Sequence, residues 1–146
     1  MYYKEAEEQI KKIIGRSSNV LQNVVDFLYN NFNCYSWVGI YIIQGSDLVL
    51  GAWKGPNATE HTRIPIGKGV CGSAAKTGKT EVIDDVLSDN RYLACFVSTK
   101  SEIVVPIKKE GKIIGEIDID SEKIGTFTIK DKIFLEKIAD MLREHI

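Results

Sequence analysis

The residues with the clearest chemical potential are a cysteine and a group of acids between positions 95 and 120. Cys95 lies on a segment that is expected to form a loop, and two predicted strands follow it. The acids on those strands are Glu102, Glu116, Asp118 and Asp120. Apolar residues alternate with others from Ser101 to Asp120, which is the two-residue period of half-buried strands. The segment therefore predicts a hairpin that carries several carboxylates close to a thiol.

The register of this hairpin can be predicted from the residues that would face each other. Gly111 suits the positive φ of a turn at residues 109–111. A three-residue turn pairs Ile103 with Ile117, whereas a two-residue turn pairs Ile103 with an acid. We therefore predict the three-residue turn, which sets Glu102 directly opposite Asp118.

This register crowds Glu102, Asp118 and Asp120 into one patch, and the crowding has three interpretations. Like charges that face each other are destabilising, so a solvated strand face would usually carry mixed signs. A bound cation would offset the repulsion, and so would one acid that keeps its proton. A merely solvent-exposed face is the third interpretation. We predict no metal, because the roughly six oxygen ligands that Mg²⁺ or Ca²⁺ takes are hard to assemble here.

An aromatic pattern on an earlier strand is the second candidate for chemistry. Trp37, Gly39 and Tyr41 point to one face, because side chains alternate along a strand. A glycine between two rings leaves a gap that suits a small apolar group, an S-methyl group or a cation. Packing in the core is the alternative for this segment.

The three cysteines are widely spaced, and their spacing fits neither a secreted disulfide framework nor a zinc site. Cys71 follows a glycine-rich turn near a predicted helix N-terminus, where a thiol would have a lowered pKa. The alternative for Cys71 is a small buried residue that packs in the turn. Cys95 is the better candidate for a reactive thiol, and we assign Cys34 to the core. We expect free thiols in a reducing compartment.

Composition sets the broad class of the protein. The chain has 146 residues, of which 44% are hydrophobic and 27% charged, so we expect one domain over residues 1–146. The net charge is −1 and there is no basic run, which argues against nucleic acid or an anionic membrane surface as a partner. No apolar run approaches the roughly 20 residues of a membrane span. Because the N-terminus also lacks a signal-peptide core, we expect a cytoplasmic protein.

Hydrophobic periodicity predicts the elements that must position these residues. The predicted helices cover residues 3–14, the stripe from Leu21 to Phe32, a short helix that follows a glycine-rich turn within residues 63–78, and a closing helix after a capping box at Thr128. The predicted strands cover residues 35–44, 48–53, 80–83 and the hairpin of 101–120. Hairpins in place of βαβ units favour an antiparallel sheet with helices gathered on it, which is an α+β domain.

Five ordered motifs give the chain a specific resemblance to one family. They are Ser36-Trp-Val-Gly-Ile-Tyr41, Thr62-Arg-Ile-Pro-Ile-Gly-Lys-Gly-Val-Cys-Gly72, Ala94-Cys95, Ser101-Glu-Ile-Val-Val-Pro-Ile107 and Gly115-Glu-Ile-Asp-Ile-Asp-Ser121. These segments resemble free methionine-(R)-sulfoxide reductases, which are stand-alone GAF-domain enzymes, and the likeness runs from about Ser17 to Leu142. The resemblance implies a GAF-like six-stranded antiparallel sheet with helices packed on it.

The resemblance also implies an activity, the reduction of free methionine-(R)-sulfoxide, and a role for each candidate residue. Cys95 matches the family's catalytic cysteine, and Cys71 matches a cysteine used for resolution. Glu102, Asp118 and Asp120 match the carboxylates around the substrate, and Trp37 and Tyr41 match the aromatic walls for its methyl group. The implied cycle forms a sulfenic acid and then a disulfide, which a thioredoxin-type reductant recycles. The implied assembly is a homodimer, and no cofactor is implied.

Two departures from the family pattern leave parts of this assignment open. His61 stands where the family often has a third cysteine, which leaves the recycling route open. Phe96 stands where the family tends to have an aspartate after the catalytic cysteine. The sequence does not assign which carboxylate protonates the sulfoxide and which binds the ammonium group. The competing interpretation is a non-catalytic GAF module that binds a small ligand or senses redox state.

Overall fold

A computed structural model describes residues 2–93 and 96–146 of the chain, so Cys95, the predicted nucleophile, lies outside the described residues. The α-helices are α1 (Tyr3–Arg16), α2 (Val20–Asn31), α3 (Gly69–Thr77) and α4 (Ile129–Leu142). The strands are β1 (Trp37–Gln44), β2 (Asp47–Lys54), β3 (Arg63–Pro65), β4 (Glu81–Ile83), β5 (Ser101–Lys109) and β6 (Lys112–Ser121). Within the described ranges, no helix combines the length and the apolar character that crossing a bilayer requires.

The six strands form one antiparallel sheet in the order β3-β2-β1-β6-β5-β4. This confirms the predicted α+β, GAF-like fold. Helices α1, α2 and α4 pack on one face of the sheet through the larger apolar cluster. Helix α3 packs on the other face, over a second cluster that includes Trp37, Tyr41 and Val104. Since β6 lies between β1 and β5, residues of β6 on the α3 face lie at the centre of that layer.

Asp131 links α4 to the rest of the domain through hydrogen bonds. Its carboxylate accepts a hydrogen bond from the backbone N–H of Thr128 over 2.9 Å and completes the predicted capping box. The other carboxylate oxygen accepts hydrogen bonds from the hydroxyls of Tyr35, at 2.6 Å, and Tyr3, at 3.1 Å. One buried acid therefore satisfies groups at the start of α1, before β1 and at the start of α4.

The hairpin prediction was wrong in its register. The turn has two residues, Glu110 and Gly111, which both have positive φ, 53° and 78°. An irregularity after Ile107 then leaves Ile114 as an extra residue in β6, and beyond it Ile103 pairs with Ile119. A plain two-residue turn would have set Ile103 and Val105 against acids, and the bulge restores apolar partners for both on the face that packs against α1, α2 and α4.

Two other predictions also differ from the structure. Residues 63–65 form strand β3, where Ile64 pairs with Leu48, although the sequence predicted only a glycine-rich turn. Three residues ending in a proline are too few to show a strand period. Cys34, which we assigned to the core, is exposed. It follows the end of α2, and its neighbours Phe32 and Tyr35 stack on each other with ring centroids 4.8 Å apart and take the apolar contacts instead.

Candidate active site

A cluster of buried acids lies on the α3 face of the sheet. Alternation along β6 brings Glu116, Asp118 and Asp120 to the same face, and Glu102 on β5 lies directly opposite Asp120. Their exposed fractions are 0%, 4%, 3% and 6% for Glu116, Asp118, Asp120 and Glu102 respectively. The burial excludes the interpretation of this patch as a solvent-exposed strand face. We call these four residues the acid cluster.

Helix α3 brings the Cys71 thiol to the acid cluster. The Cys71 thiol donates a hydrogen bond to Asp118 Oδ2 with an S–O distance of 3.4 Å. Sγ of Cys71 and one carboxylate oxygen each of Glu102 and Asp118 lie within 4.8 Å of one another. All three are predicted site residues. They are 16 or more positions apart in the chain, and the fold brings them into contact.

Glycine lets α3 approach this closely. A Cβ atom on Gly72 would lie 2.7 Å from the backbone oxygen of Pro65 and 2.9 Å from the backbone nitrogen of Gly67, both shorter than real Cβ contacts. Gly69 has a φ of 68°, which favours glycine. The glycine-rich turn therefore packs the first turn of α3 against the end of β3.

The pKa of the Cys71 thiol is raised well above its usual value, first because the thiol is buried and then because of the charges of Asp118, Glu116 and Glu102. Of the two alternatives for Cys71, the structure fits the small buried residue that packs in the turn, and it does not fit the thiol with a lowered pKa. A helix N-terminus stabilises a nearby negative charge, such as a thiolate, by only about 0.3–1 kcal/mol in ordinary settings. Full burial shifts a pKa by up to about 3–5 units, at about 1.4 kcal/mol each, so burial outweighs the helix terminus.

The acids of β6 are also shifted toward their protonated forms. Burial raises the pKa of Glu116, Asp118 and Asp120, and the charge of Asp118 raises those of its two neighbours further. Among residues 2–93 and 96–146, no lysine, arginine or histidine is buried with them. The acid cluster therefore either holds protons or receives a cation, the two interpretations that remain.

Some oxygens of the cluster have no hydrogen-bond partner within the described part of the chain. They are both oxygens of Glu116, Oδ1 of Asp118 and Oδ1 of Asp120. Glu116 was predicted to lie on its strand but was not among the predicted site residues. Its spacing of two residues from Asp118 was the signal that could have included it, because such residues share a face of a strand.

Trp37 and Tyr41 lie on the same face, as predicted, but in different surroundings. The Tyr41 hydroxyl donates a hydrogen bond to the backbone oxygen of His61 over 2.7 Å. The Trp37 ring lies over Gly39, where an added Cβ would come within 2.3 Å of the ring. The gap predicted at Gly39 is therefore filled by the neighbouring indole. Glycine is needed here because any Cβ atom would clash with that ring.

Two cavities lie beside the acid cluster and the aromatic residues Trp37 and Tyr41. The smaller has a volume of about 20 Å³ and is lined by Tyr41, His61, Ile64, Val70, Cys71, Leu93, Glu102 and Asp118. The larger has a volume of about 430 Å³, and its walls include Trp37, Phe96 and Thr99. Thr99 donates a hydrogen bond to Asp120 Oδ2 over 3.3 Å, so the acid cluster lies directly behind the wall of the larger cavity.

Comparison with known proteins gives a consistent family for residues 18–146, which match the model of the GAF domain. The chain is 36% identical over 124 residues to the free methionine-R-sulfoxide reductase of Escherichia coli, covering 85% of this chain and 74% of that protein. It is 43% identical over 113 residues to the enzyme of the same name from Saccharomyces cerevisiae, covering 75% and 62%. A solved structure of the free methionine-R-sulfoxide reductase of Neisseria meningitidis in complex with its substrate has a TM-score of 0.91 and 36% identity, covering 97% and 86%.

Proposed function

The chain belongs to the GAF-domain family of free methionine-R-sulfoxide reductases, and we propose that it reduces free methionine-(R)-sulfoxide to methionine. The relatives with this name support the activity. The observation that carries the proposal is the contact of the Cys71 thiol with a buried acid cluster that has no buried positive partner in the described part of the chain.

The acid cluster suits the ammonium group of a free amino acid. An ammonium donates up to three charge-assisted hydrogen bonds, and carboxylates accept them at roughly twice the strength of neutral pairs. Asp118 and Asp120 each offer an oxygen without another partner among the described residues. A methionine inside a protein has no ammonium group, so this site favours the free amino acid.

The first chemical step belongs to Cys95. Its thiolate attacks the sulfoxide sulfur, which becomes electrophilic when its oxygen receives a proton. Burial raises the pKa of Asp118 and Asp120, which favours their protonated forms, and one of these acids donates its proton to the oxygen. Two electrons pass from the cysteine to the substrate, methionine leaves, and Cys95 retains the oxygen as a sulfenic acid.

The second step belongs to Cys71. Its sulfur attacks the sulfenic acid, an S–S bond forms between Cys71 and Cys95, the S–O bond breaks, and the hydroxyl takes the thiol proton by way of Asp118 and leaves as water. Asp118 accepts the thiol proton through the hydrogen bond that the two residues already share. A thioredoxin-type dithiol then reduces the disulfide. Cys34 is a poor alternative, because it is exposed near Asp131, on the face of the sheet away from α3.

We assign Trp37 and Tyr41 to the walls that receive the substrate's methyl group. Trp37 supports this through its place on the larger cavity, and Tyr41 through its place beside Cys71. We also propose a cytoplasmic homodimer. Ile129 and Ile133 of α4, which are 64% and 50% exposed, support an apolar contact between two copies.

A turnover assay tests the proposal directly. With free methionine-(R)-sulfoxide and a thioredoxin system, the chain should release methionine, and Cys95→Ser should abolish the release because an alkoxide is not available near neutral pH. Cys34→Ser is the matched control and should retain full activity. A chain that binds the sulfoxide without releasing methionine would instead be the non-catalytic ligand-binding or redox-sensing module.

A further inference from the structure

We propose that Cys71, Glu102 and Asp118 form a binding site for one thiophilic divalent cation, with Zn²⁺ as the best match. One ligand atom from each residue lies within 4.8 Å of the other two. Tetrahedral zinc holds sulfur at about 2.3 Å and oxygen at about 2.0 Å, which sets these ligand atoms about 3.5 Å apart. The Sγ of Cys71 and Oδ2 of Asp118 are 3.4 Å apart, so this edge of the tetrahedron is already formed.

The space between the ligands matches a single ion. The cavity that Cys71, Glu102 and Asp118 line together has a volume of about 20 Å³. A water molecule needs at least about 10–15 Å³ by this measure, so the cavity accepts one particle of that size. A free amino acid is far larger and needs the neighbouring cavity of about 430 Å³.

Glu116 supplies the independent sign that a cation belongs here. Its side chain is 0% exposed, and neither carboxylate oxygen has a hydrogen-bond partner of good geometry among the described residues, although the Cys71 thiol lies close enough to offset part of the rise in the pKa of Glu116 that burial causes. Glu116 lies two positions before Asp118 on the same face of β6, and its charge acts on the Cys71 thiol. A buried carboxylate without a partner is costly, and a divalent cation beside it would offset that cost.

The donor set determines which metal fits. One thiolate and two carboxylates suit a four-coordinate zinc site with a water molecule in the last position. Mg²⁺ and Ca²⁺ prefer about six or more oxygen ligands, and the thiolate selects against both. As the Zn–S bond forms, the Cys71 thiol loses its proton to water.

Binding of the ion has a consequence that rests on the proposed function. The ion would occupy the resolving thiol and two of the substrate carboxylates at once. Zn²⁺ would therefore act as a reversible inhibitor of the reductase and not as its cofactor. Metal binding itself does not depend on the reductase activity.

Cobalt provides a direct probe, because a tetrahedral Co²⁺–thiolate site absorbs in the near ultraviolet and the visible. Titration of the reduced full-length chain with Co²⁺ should give a thiolate-to-cobalt band that saturates at one equivalent, and Zn²⁺ should displace the cobalt. Cys71→Ser should lose the band, and the matched control Cys34→Ser should keep it. A missing band, or a band that persists in Cys71→Ser, would overturn the site.

Two further variants keep the test decisive if Cys71→Ser does not fold by circular dichroism. Glu102→Gln and Asp118→Asn should each weaken Co²⁺ binding by roughly tenfold or more, since even outer-shell partners cost 10–100-fold. Unchanged affinity in both variants would refute the assigned ligands. In the activity arm, Zn²⁺ should inhibit methionine release and a chelator should restore it. A chain that binds Co²⁺ but never reduces the sulfoxide would refute the proposed function and leave the metal site intact.

Discussion

The Cys71 thiol and the Asp118 carboxylate share a hydrogen bond of 3.4 Å between α3 and the central strand β6. The two residues are 47 positions apart in the chain, and neither is exposed to water. The contact gives a thiol with a raised pKa an immediate acceptor for its proton. Chemistry at Cys71 is therefore coupled to the charge state of Asp118.

Cys71→Ser should separate the two halves of the catalytic cycle. One equivalent of methionine should still form in a single turnover, because the variant retains Cys95, the proposed nucleophile. Multiple turnovers with a thioredoxin-type reductant should slow by at least about tenfold, because no second thiol condenses with the sulfenic acid. Rapid-quench measurement of methionine over the first and later turnovers checks this, with Cys34→Ser as the control. Undiminished steady-state turnover in Cys71→Ser would show that another thiol resolves the intermediate.

The neutral isosteres Glu102→Gln, Asp118→Asn and Asp120→Asn should each impair turnover while the fold stays intact. Loss of an acid that donates the proton should lower kcat by about 10²–10⁴-fold. Loss of an acid that binds the ammonium group should mainly raise KM. Steady-state kinetics of the three variants would assign the two roles, and near-wild-type kinetics in all three would remove the acid cluster from the mechanism.

Stability should fall as the pH rises from about 4.3 toward the folded pKa of Glu116, because this acid binds its proton more tightly in the folded chain. Burial raises its pKa in the folded state above the unfolded value of about 4.3. The folded chain then binds more protons than the unfolded chain across this window, so the free energy of unfolding decreases by up to about 1.4 kcal/mol per pH unit for this group. The contribution is fully present below the unfolded pKa and is lost as the pH approaches the folded pKa.

Glu116→Gln should reduce the slope of this pH dependence, because the amide does not titrate, whereas Asp118 and Asp120 still do. Urea unfolding at several pH values with a chelator present measures the slope for each variant. Glu122→Gln, at an exposed position beyond β6, is the matched control and should leave the slope unchanged. Equal slopes for wild type and Glu116→Gln would contradict the assignment of the titration to Glu116.

Gly72→Ala should destabilise the domain by about 1–3 kcal/mol, since its Cβ would press on the backbone of Pro65 and Gly67, which cannot rotate away. Gly15→Ala is the natural comparison, because it lies within α1 and nothing lies within 4 Å of its added Cβ. That change should stabilise by about 0.5–1 kcal/mol. Thermal unfolding of both variants measures whether each change raises or lowers stability. A stabilised Gly72→Ala would contradict the close packing of α3 against Pro65 and Gly67.

Local patterns predicted the fold well, because periodicity and capping are properties of neighbouring residues. The stripe of α2, the capping box at Thr128 and the antiparallel hairpins all depend on residues close in the chain. Strand β3 escaped prediction because its three residues acquire a strand conformation only by pairing with β2.

The sequence predicted which residues form the candidate site better than it predicted their burial and contacts. Alternation along β6 was enough to gather Asp118 and Asp120, and an error of two residues in the register left both on the same face. The pKa of Cys71 was not predictable from its helix position, because its shift comes from burial and from acids on other elements. The place of the Trp37 ring over Gly39 likewise depends on packing that no local pattern encodes.

The central position of β6 determines the order in which the strands can pair during synthesis. Strands β1 and β2 are neighbours in the chain and can pair as soon as residue 54 has left the ribosome. The other edge of β1 must wait for β6, whose partner residue for Trp37 is Asp120. Until β6 has been made, that edge of the aromatic and β-branched strand β1 is unpaired, which is the situation that promotes wrong strand pairing. Nascent chains that stall between residues 54 and 112 should therefore be the ones that need a chaperone.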